Sequence, residues 1–252
     1  MNYNNYGYLF NDLQICNNKI VKKAKTEYGI TKLKDEINFY NTIINLNIDF
    51  PIPKIYNLDM SNNIITMEYL QDYIDLTKEL YKNDYTLTIH NIISRLNIIH
   101  KYTKLITKEE YILNLKLEIY HKIIDRYNKT DWNKLNDLNL IKTVNNIEIK
   151  HLNYYLDIIN NKILNIINNN DKYEFSLIHG DTHLGNILIN NNKNDIRFID
   201  PRGFFGNNKL YGIKEYDYAK LLFGISGYSI FDQMNIDKLI INNNNLQINF
   251  IE

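Results

Sequence analysis

The sequence predicts an α+β chain in two parts, a small β-rich part over residues 1–70 and a larger, mainly helical part over residues 71–252. Three observations predict it. Short apolar-aromatic runs, separated by Asn and Pro turn signals, fill the first part. From Leu70 to about residue 170 the apolar residues recur at helical spacing. Then LIHGDTHLGNILI and, after a polar turn, IRFIDPRG set polar side chains at the ends of short apolar runs, as strands do when they present groups to a cleft.

Residues 6–24 read as a hairpin or meander: YGYLF and LQIC are short strand-like runs, and KIVKKA follows the Asn17-Asn18 turn signal. Leu33, Ile37, Tyr40 and Ile44 predict an amphipathic helix over about 31–45. Pro51 and Pro53 force extended backbone, and NNIITMEYL reads as a strand over about 62–70. Ile89, Ile92, Ile93, Leu96 and Ile99 form the stripe of a helix ending near His100. Thr107 with Glu110 makes a capping box for a second helix. A third carries Leu152, Leu156, Ile159, Ile163 and Ile166, and the stretch around Trp132 is ambiguous. FSLIH, NILI and IRFID read as strands, and KEYDYAKLLF as a helix with Tyr218, Leu221 and Leu222 on one side. The last residues fit no element.

Composition narrows the function classes. The net charge is zero, so no overall field gathers nucleic acid or an anionic membrane. The lone Cys16 excludes an internal disulfide framework and fits a reducing compartment. No stretch reads as a membrane span and MNYNNYGYLFND lacks the features of a secretory signal, so a cytoplasmic protein is expected. The many Asn residues fit turns, where this side chain tolerates the left-handed region.

The chemistry concentrates between residues 177 and 203. Transfer of a phosphoryl group to a hydroxyl needs a carboxylate to orient the hydroxyl and accept its proton, oxygen ligands for Mg, and a cation for the phosphates. Asp181 and Asn186 lie five apart across a loop, and Asp200 closes the following hairpin, so a carboxylate, an amide oxygen and a second carboxylate form an oxygen-rich pocket suited to Mg. Upstream, a strand bearing a lysine precedes a helix bearing a glutamate. Lys22 and Lys23 point to opposite faces of that strand, and the spacing to Glu36 favours Lys23 for the cleft. His179 and His183 have ligand chemistry, but no cysteine or third histidine lies near them.

HGDTHLGN followed by IDPRG resembles the catalytic and metal-binding segments of the aminoglycoside phosphotransferase and choline kinase superfamily, small-molecule relatives of the protein kinases. The resemblance covers about residues 6–230 and implies a protein-kinase-like two-lobe fold, with the nucleotide-binding lobe and hinge over 1–70 and the helical lobe over 71–252. It implies Asp181 as catalytic base, Asn186 and Asp200 as Mg ligands, and Lys23 on the α and β phosphates of ATP, paired with Glu36. It further implies a hinge at MEYL, with the backbone of Glu68 and Leu70 meeting adenine and Met67 lining the pocket. His179 and Asp217 would brace the catalytic loop, and His183 would lie near phosphate or acceptor. A protein-kinase type of Gly-rich loop is absent, only Gly7 standing near its place, and IDPRG replaces DFG, which argues against a protein kinase. DPRG with YDYAKL is also similar to kinase-like proteins of capsule and surface-polysaccharide genes, which tilts the acceptor toward a sugar. The expected activity is ATP- and Mg-dependent phosphorylation of a hydroxyl on a sugar, amino alcohol or aminoglycoside. The alternative is a non-catalytic kinase-like module that binds nucleotide or a partner.

Overall fold

The computed structural model describes residues 10–78, 85–130, 141–190, 195–228 and 236–250. The chain divides into two compact units, one of Met1–Leu105 with Glu174–Ser229 and one of Ile106–Tyr173 with Ile230–Glu252.

The first unit opens with the hairpin β1 (Asn11–Cys16) and β2 (Lys19–Ala24). Its turn residues Asn17 and Asn18 have φ of 50° and 58°, the left-handed pair that a two-residue hairpin needs. Helix α1 (Glu27–Asn45) follows, its N-terminus capped by the Thr26 hydroxyl, which accepts the Gly29 N–H. It starts four residues before the sequence pattern does, because its first turn is largely exposed and carries no apolar stripe. The buried stripe is Leu33, Ile37, Tyr40 and Ile43; Ile44, expected inside, is exposed. Strands β3 (Ile55–Asp59) and β4 (Ile64–Glu68) complete an antiparallel sheet in the order β1-β2-β4-β3. After β5 (Tyr73–Asp75) come α2 (Thr86–His100), buried through Ile92, Leu96 and Ile99, and β6 (Thr103–Leu105).

The chain then builds the first part of the second unit. Helix α3 (Lys108–Leu115), capped by Thr107, runs through a π turn (Lys116–His121) into α4 (Lys122–Lys129). The Trp132 region lies outside the described residues. The short strands β7 (Thr143–Val144) and β8 (Ile147–Glu148) precede α5 (Leu152–Asn168).

Back in the first unit, β9 (Glu174–Leu177) pairs with β6. The hairpin β10 (Ile187–Asn190) and β11 (Ile196–Phe198) pairs through β10 with β5. Short strands β12 (Phe204–Phe205), β13 (Asn208–Lys209) and β14 (Tyr211–Gly212) lead into α6 (Glu215–Phe223). On α6 the buried positions are Asp217 and Leu221, whereas Leu222, expected beside Leu221, is exposed. The last strands, β15 (Ile236–Asn242) and β16 (Asn245–Phe250), form a hairpin of the second unit, and β16 pairs in parallel with β7.

One apolar cluster runs through the first unit, from Leu33, Ile37, Phe39 and Ile65 through Leu76, Ile92 and Leu96 to Leu177, Ile187, Phe198 and Leu221. The expected lobe boundary after Leu70 falls inside this unit, because β5 joins the sheet of the β10–β11 hairpin and Leu76 joins the common core. No helix among the described residues is long and apolar enough to cross a membrane.

Candidate active site

The candidate residues all lie within the first unit, and Lys23 stays outside their cluster. Lys22 is buried and Lys23 is exposed on the other face of β2. The Lys22 ammonium donates to Glu36 Oε2 at 2.7 Å and to Asp200 Oδ1 at 2.8 Å. Lys22, not Lys23, therefore occupies the position expected of the phosphate-contacting lysine. Sequence spacing to Glu36 does not determine strand facing. Alternation does: Ile20 and Ala24, which share the parity of Lys22, both pack against the core.

Glu36 reaches the hub from α1. Its neighbour Asp35, also buried, accepts both its hydrogen bonds at 2.8 Å from Lys209, in β13. The same segment touches α1 at Gly203, whose φ is 64°; a Cβ there would stand 2.6 Å from the Asp35 carbonyl oxygen. Asp200, just past β11, has φ of 54°, a left-handed backbone on a residue that precedes proline. That conformation is disfavoured by about 1–3 kcal/mol and is found mainly where surrounding structure or function imposes it.

The charges shift one another. Burial opposes the Lys22 ammonium, but Asp200 and Glu36 outweigh it and hold its pKa above the ordinary value. Burial pushes the Glu36 carboxyl up, to about 7, against the pull of Lys22 and with the help of the Asp200 charge. Asp200 stays below the ordinary carboxylate value because Lys22 overrides its burial. Tyr40, one turn after Glu36, has its phenol pushed up by burial and by the same two carboxylates. Two buried oxygens here, Glu36 Oε1 and the Tyr40 hydroxyl, make no hydrogen bond of good geometry.

The catalytic loop leaves β9. His179 is fully buried; its Nε2–H donates to the Ile199 carbonyl at 3.0 Å, and its Nδ1 accepts the Asp181 N–H at 3.3 Å. Burial lowers its pKa, so a neutral ring sits in the site. Both ring nitrogens are engaged, which suits a brace. Asp217, from α6, accepts the backbone N–H of His179 at 3.0 Å and of Gly180 at 2.7 Å, and its backbone carbonyl accepts the Thr182 hydroxyl. Gly180 turns the chain with φ of 80°. His183 caps the short 3-10 turn Leu184–Asn186 by accepting the Gly185 N–H at 3.2 Å.

Asn186 donates its amide N–H to the Asp181 carbonyl at 2.9 Å, which leaves its Oδ1 as an acceptor. The Asp181 carboxylate pairs through Oδ1 with Lys220 of α6 at 2.9 Å, and its Oδ2 is 3.8 Å from His183 Nε2. Burial acts to raise the Asp181 pKa, but Lys220 and then His183 hold it below the ordinary value. The N–H of Ile199 bonds to the Asn186 carbonyl, and that of Arg202 to the His179 carbonyl, so the loop and the β11 exit are cross-tied. At the end of β4, Met67 is buried, and Glu68 bonds Lys54 through its N–H and its carboxylate. The Leu70 carbonyl accepts the Tyr73 N–H.

The donor set fits Mg. Asp200 and the Asn186 Oδ1 are hard oxygen groups of the kind Mg takes, and Asp200 is paired with a buried lysine. Three contributors escaped the sequence reading: Lys220, Lys209 with Asp35, and His100, whose Nε2–H donates to Asp217 at 2.9 Å. His100 ends a well-predicted helix, but nothing in the sequence links it to a residue 117 positions away.

No family model matches the chain. It is 36% identical over 140 residues to a tRNA(Ile)-lysidine synthase of Mycoplasma mycoides subsp. mycoides SC, covering 54% of this chain and 30% of that protein. A match spanning under a third of the relative carries no activity across. Among solved structures, glucosamine kinase in complex with glucosamine, ADP and inorganic phosphate matches at TM-score 0.54 and 11% identity, covering 88% of this chain and 60% of that one. The GDP complex of aminoglycoside 2'-phosphotransferase-IIIa matches at 0.53 and 16%, covering 84% and 68%. The chain spans 65% of the gentamicin-bound aminoglycoside phosphotransferase it also matches. The fold is thus the mixed α+β, protein-kinase-like one of these small-molecule phosphotransferases.

Proposed function

We propose that the protein is a phosphotransferase that moves the γ-phosphoryl group of ATP to a hydroxyl of a small molecule, with Mg as cofactor. The observation that carries this reading is the Lys22–Glu36–Asp200 hub beside a loop that holds Asp181 and Asn186. In the proposed reaction Asp181 orients the acceptor hydroxyl and takes its proton as the oxygen attacks phosphorus. Lys22 neutralises the α and β phosphates, and Glu36 holds that lysine in place. Asn186 and Asp200 would hold Mg, which when bound supplies charge neutralisation across the phosphate oxygens. His179 and Asp217 fix the loop backbone. Met67, Glu68 and Leu70 line the edge where the nucleotide base would sit.

The acceptor is of the sugar, amino alcohol or aminoglycoside type. Support comes from neighbours in fold whose structures contain glucosamine or, in one aminoglycoside phosphotransferase, kanamycin with GDP. A cytoplasmic setting, where ATP is abundant, suits the single free cysteine.

The test is ADP release in the presence of Mg over a panel of sugars, amino alcohols and aminoglycosides. Asp181→Asn should lower turnover by about a hundred- to ten-thousandfold while leaving Mg·ADP binding intact. Failure of the wild-type protein to bind ATP at millimolar concentration with Mg present sinks the reading.

A further inference from the structure

Helix α6 meets the catalytic loop twice. Asp217 fixes the loop backbone through the N–H groups of His179 and Gly180. One turn later Lys220 places its ammonium 2.9 Å from Asp181 Oδ1. Positions three apart share a helix face, so the element that sets the loop's shape also sets a cation against its carboxylate. The side chain passes the Tyr216 ring, with Nζ 5.9 Å from the ring centre. About a third of it is exposed.

A base that takes a hydroxyl proton lies within hydrogen-bond reach of that oxygen. The oxygen in turn approaches phosphorus to about 3–3.5 Å before attack. An ammonium bound to the same carboxylate therefore stands beside the equatorial oxygens of the phosphoryl group. Lys22 is held by Glu36 and Asp200 and is assigned to the α and β phosphates. His183 is farther from Asp181, at 3.8 Å, and its Nδ1 is used by the Gly185 N–H.

We propose that Lys220 is a catalytic residue, bridging the Asp181 carboxylate and the γ-phosphoryl group during transfer; this rests on the phosphotransferase reading. The acceptor oxygen forms its bond to the γ phosphorus. The bond from that phosphorus to the β–γ bridging oxygen breaks, and its electron pair leaves with ADP. The hydroxyl proton goes to Asp181. Lys220 gives up no proton; it stabilises the charge on the phosphoryl oxygens and holds the carboxylate toward the acceptor. An ion pair about one-third exposed is partly screened by solvent, so its ammonium can be shared with a phosphate.

The test is calorimetry with Mg and either ADP or a non-hydrolysable ATP analogue on wild type, Lys220→Met and Lys220→Gln. Wild type should bind the analogue more tightly than ADP. Lys220→Met should keep its ADP affinity and lose about tenfold to a hundredfold of its affinity for the analogue. A residue acting only on structure would weaken both ligands together. Hydrolysis of MgATP, with water as acceptor, should fall about a hundredfold or more, and Lys220→Arg should recover part of it. Retained ADP binding shows that the variant is folded; if Lys220→Met loses it, Lys220→Gln decides in its place. Equal wild-type affinity for the two ligands, or a preference that survives in the variant, overturns the assignment alone. A wild-type protein that binds neither ligand overturns the phosphotransferase reading, and this assignment with it.

Discussion

The loop from His179 to Asn186 and the hub around Lys22 belong to the same compact unit, yet their polar groups are satisfied in opposite ways. In the loop, buried Asp217 takes two backbone N–H groups and the His100 imidazole, and His179 uses both ring nitrogens. The Thr182 hydroxyl also has its acceptor. In the hub, one ammonium is divided between two carboxylates, and Glu36 Oε1 and the Tyr40 hydroxyl are buried with no hydrogen bond of good geometry. Buried polar groups ordinarily find partners, so the two regions differ in what completes them. The loop's backbone is tied by the protein alone. The hub is balanced for a charged ligand, and its stability should respond to one.

Removing the loop's anchor should have the largest effect. Asp217→Ala strands two backbone N–H groups and His100 in the interior, so the expected loss is about 3–5 kcal/mol, read from urea denaturation. A loss under about 1 kcal/mol would mean that Asp217 is not the keystone of the loop. Lys22→Met should act differently. It removes the shared cation, but Asp200 is half-exposed and Glu36 can take a proton, so the ligand-free protein should lose less than with Asp217→Ala. Its signature should be loss of the thermal shift that Mg·ADP gives wild type. If the shift survives, the hub does not meet the nucleotide.

Part of this contrast was legible in the sequence. The polar residues Asp181, Asn186 and Asp200 stand out because each breaks an apolar run at a fixed offset, and the structure gathers them. Glu36 is legible from its helical stripe. Lys22 is legible too, from the strand parity it shares with Ile20 and Ala24. Lys220 was not: on an amphipathic helix a lysine beside tyrosines reads as a solvated flank, and only the fold brings it to Asp181. The same holds for Lys209, which pairs with a residue 174 positions earlier. The closing hairpin β15–β16 was missed because its apolar runs are short. Its turn has one left-handed residue, Asn243 at φ of 53°, where the first hairpin has two. Seven of the nine described non-glycine residues with positive φ are asparagines, so the abundance of Asn is in part a backbone device.

Lys209→Met should give a smaller effect that separates position from chemistry. Asp35 would lose a bidentate partner while the Lys22–Glu36 pair stays intact. The partner lysine is largely exposed, so the expected stability loss is about 1–2 kcal/mol. The loosened α1 should raise the KM for ATP more than it lowers kcat, and Lys209→Arg should restore it. An unchanged KM would show that α1 is held by its apolar stripe alone.

A slope against pH, rather than a loss at one pH, probes the hub's charge directly. Glu36 has a folded-state pKa of about 7 against an ordinary value of 4.5, because burial and the Asp200 charge outweigh Lys22. Between those values the folded protein keeps a proton that the unfolded chain has released. Proton linkage then makes this group's contribution to stability full below 4.5 and lost as the pH rises through about 7. Lys22 shifts upward and keeps its charge across that window. Asp181 and Asp200 shift downward, so their contributions are present above the ordinary carboxylate value of 3.8 and are lost only at more acid pH. Glu36 alone among these four sets a falling slope in the window. His179, whose pKa is lowered, adds a rising slope common to both proteins, so denaturation midpoints across the window should fall for wild type relative to Glu36→Gln, which keeps the shape of the side chain and removes the titration. Parallel slopes for wild type and Glu36→Gln would mean that Lys22 holds Glu36 fully ionised, and that the hub is as self-contained as the loop.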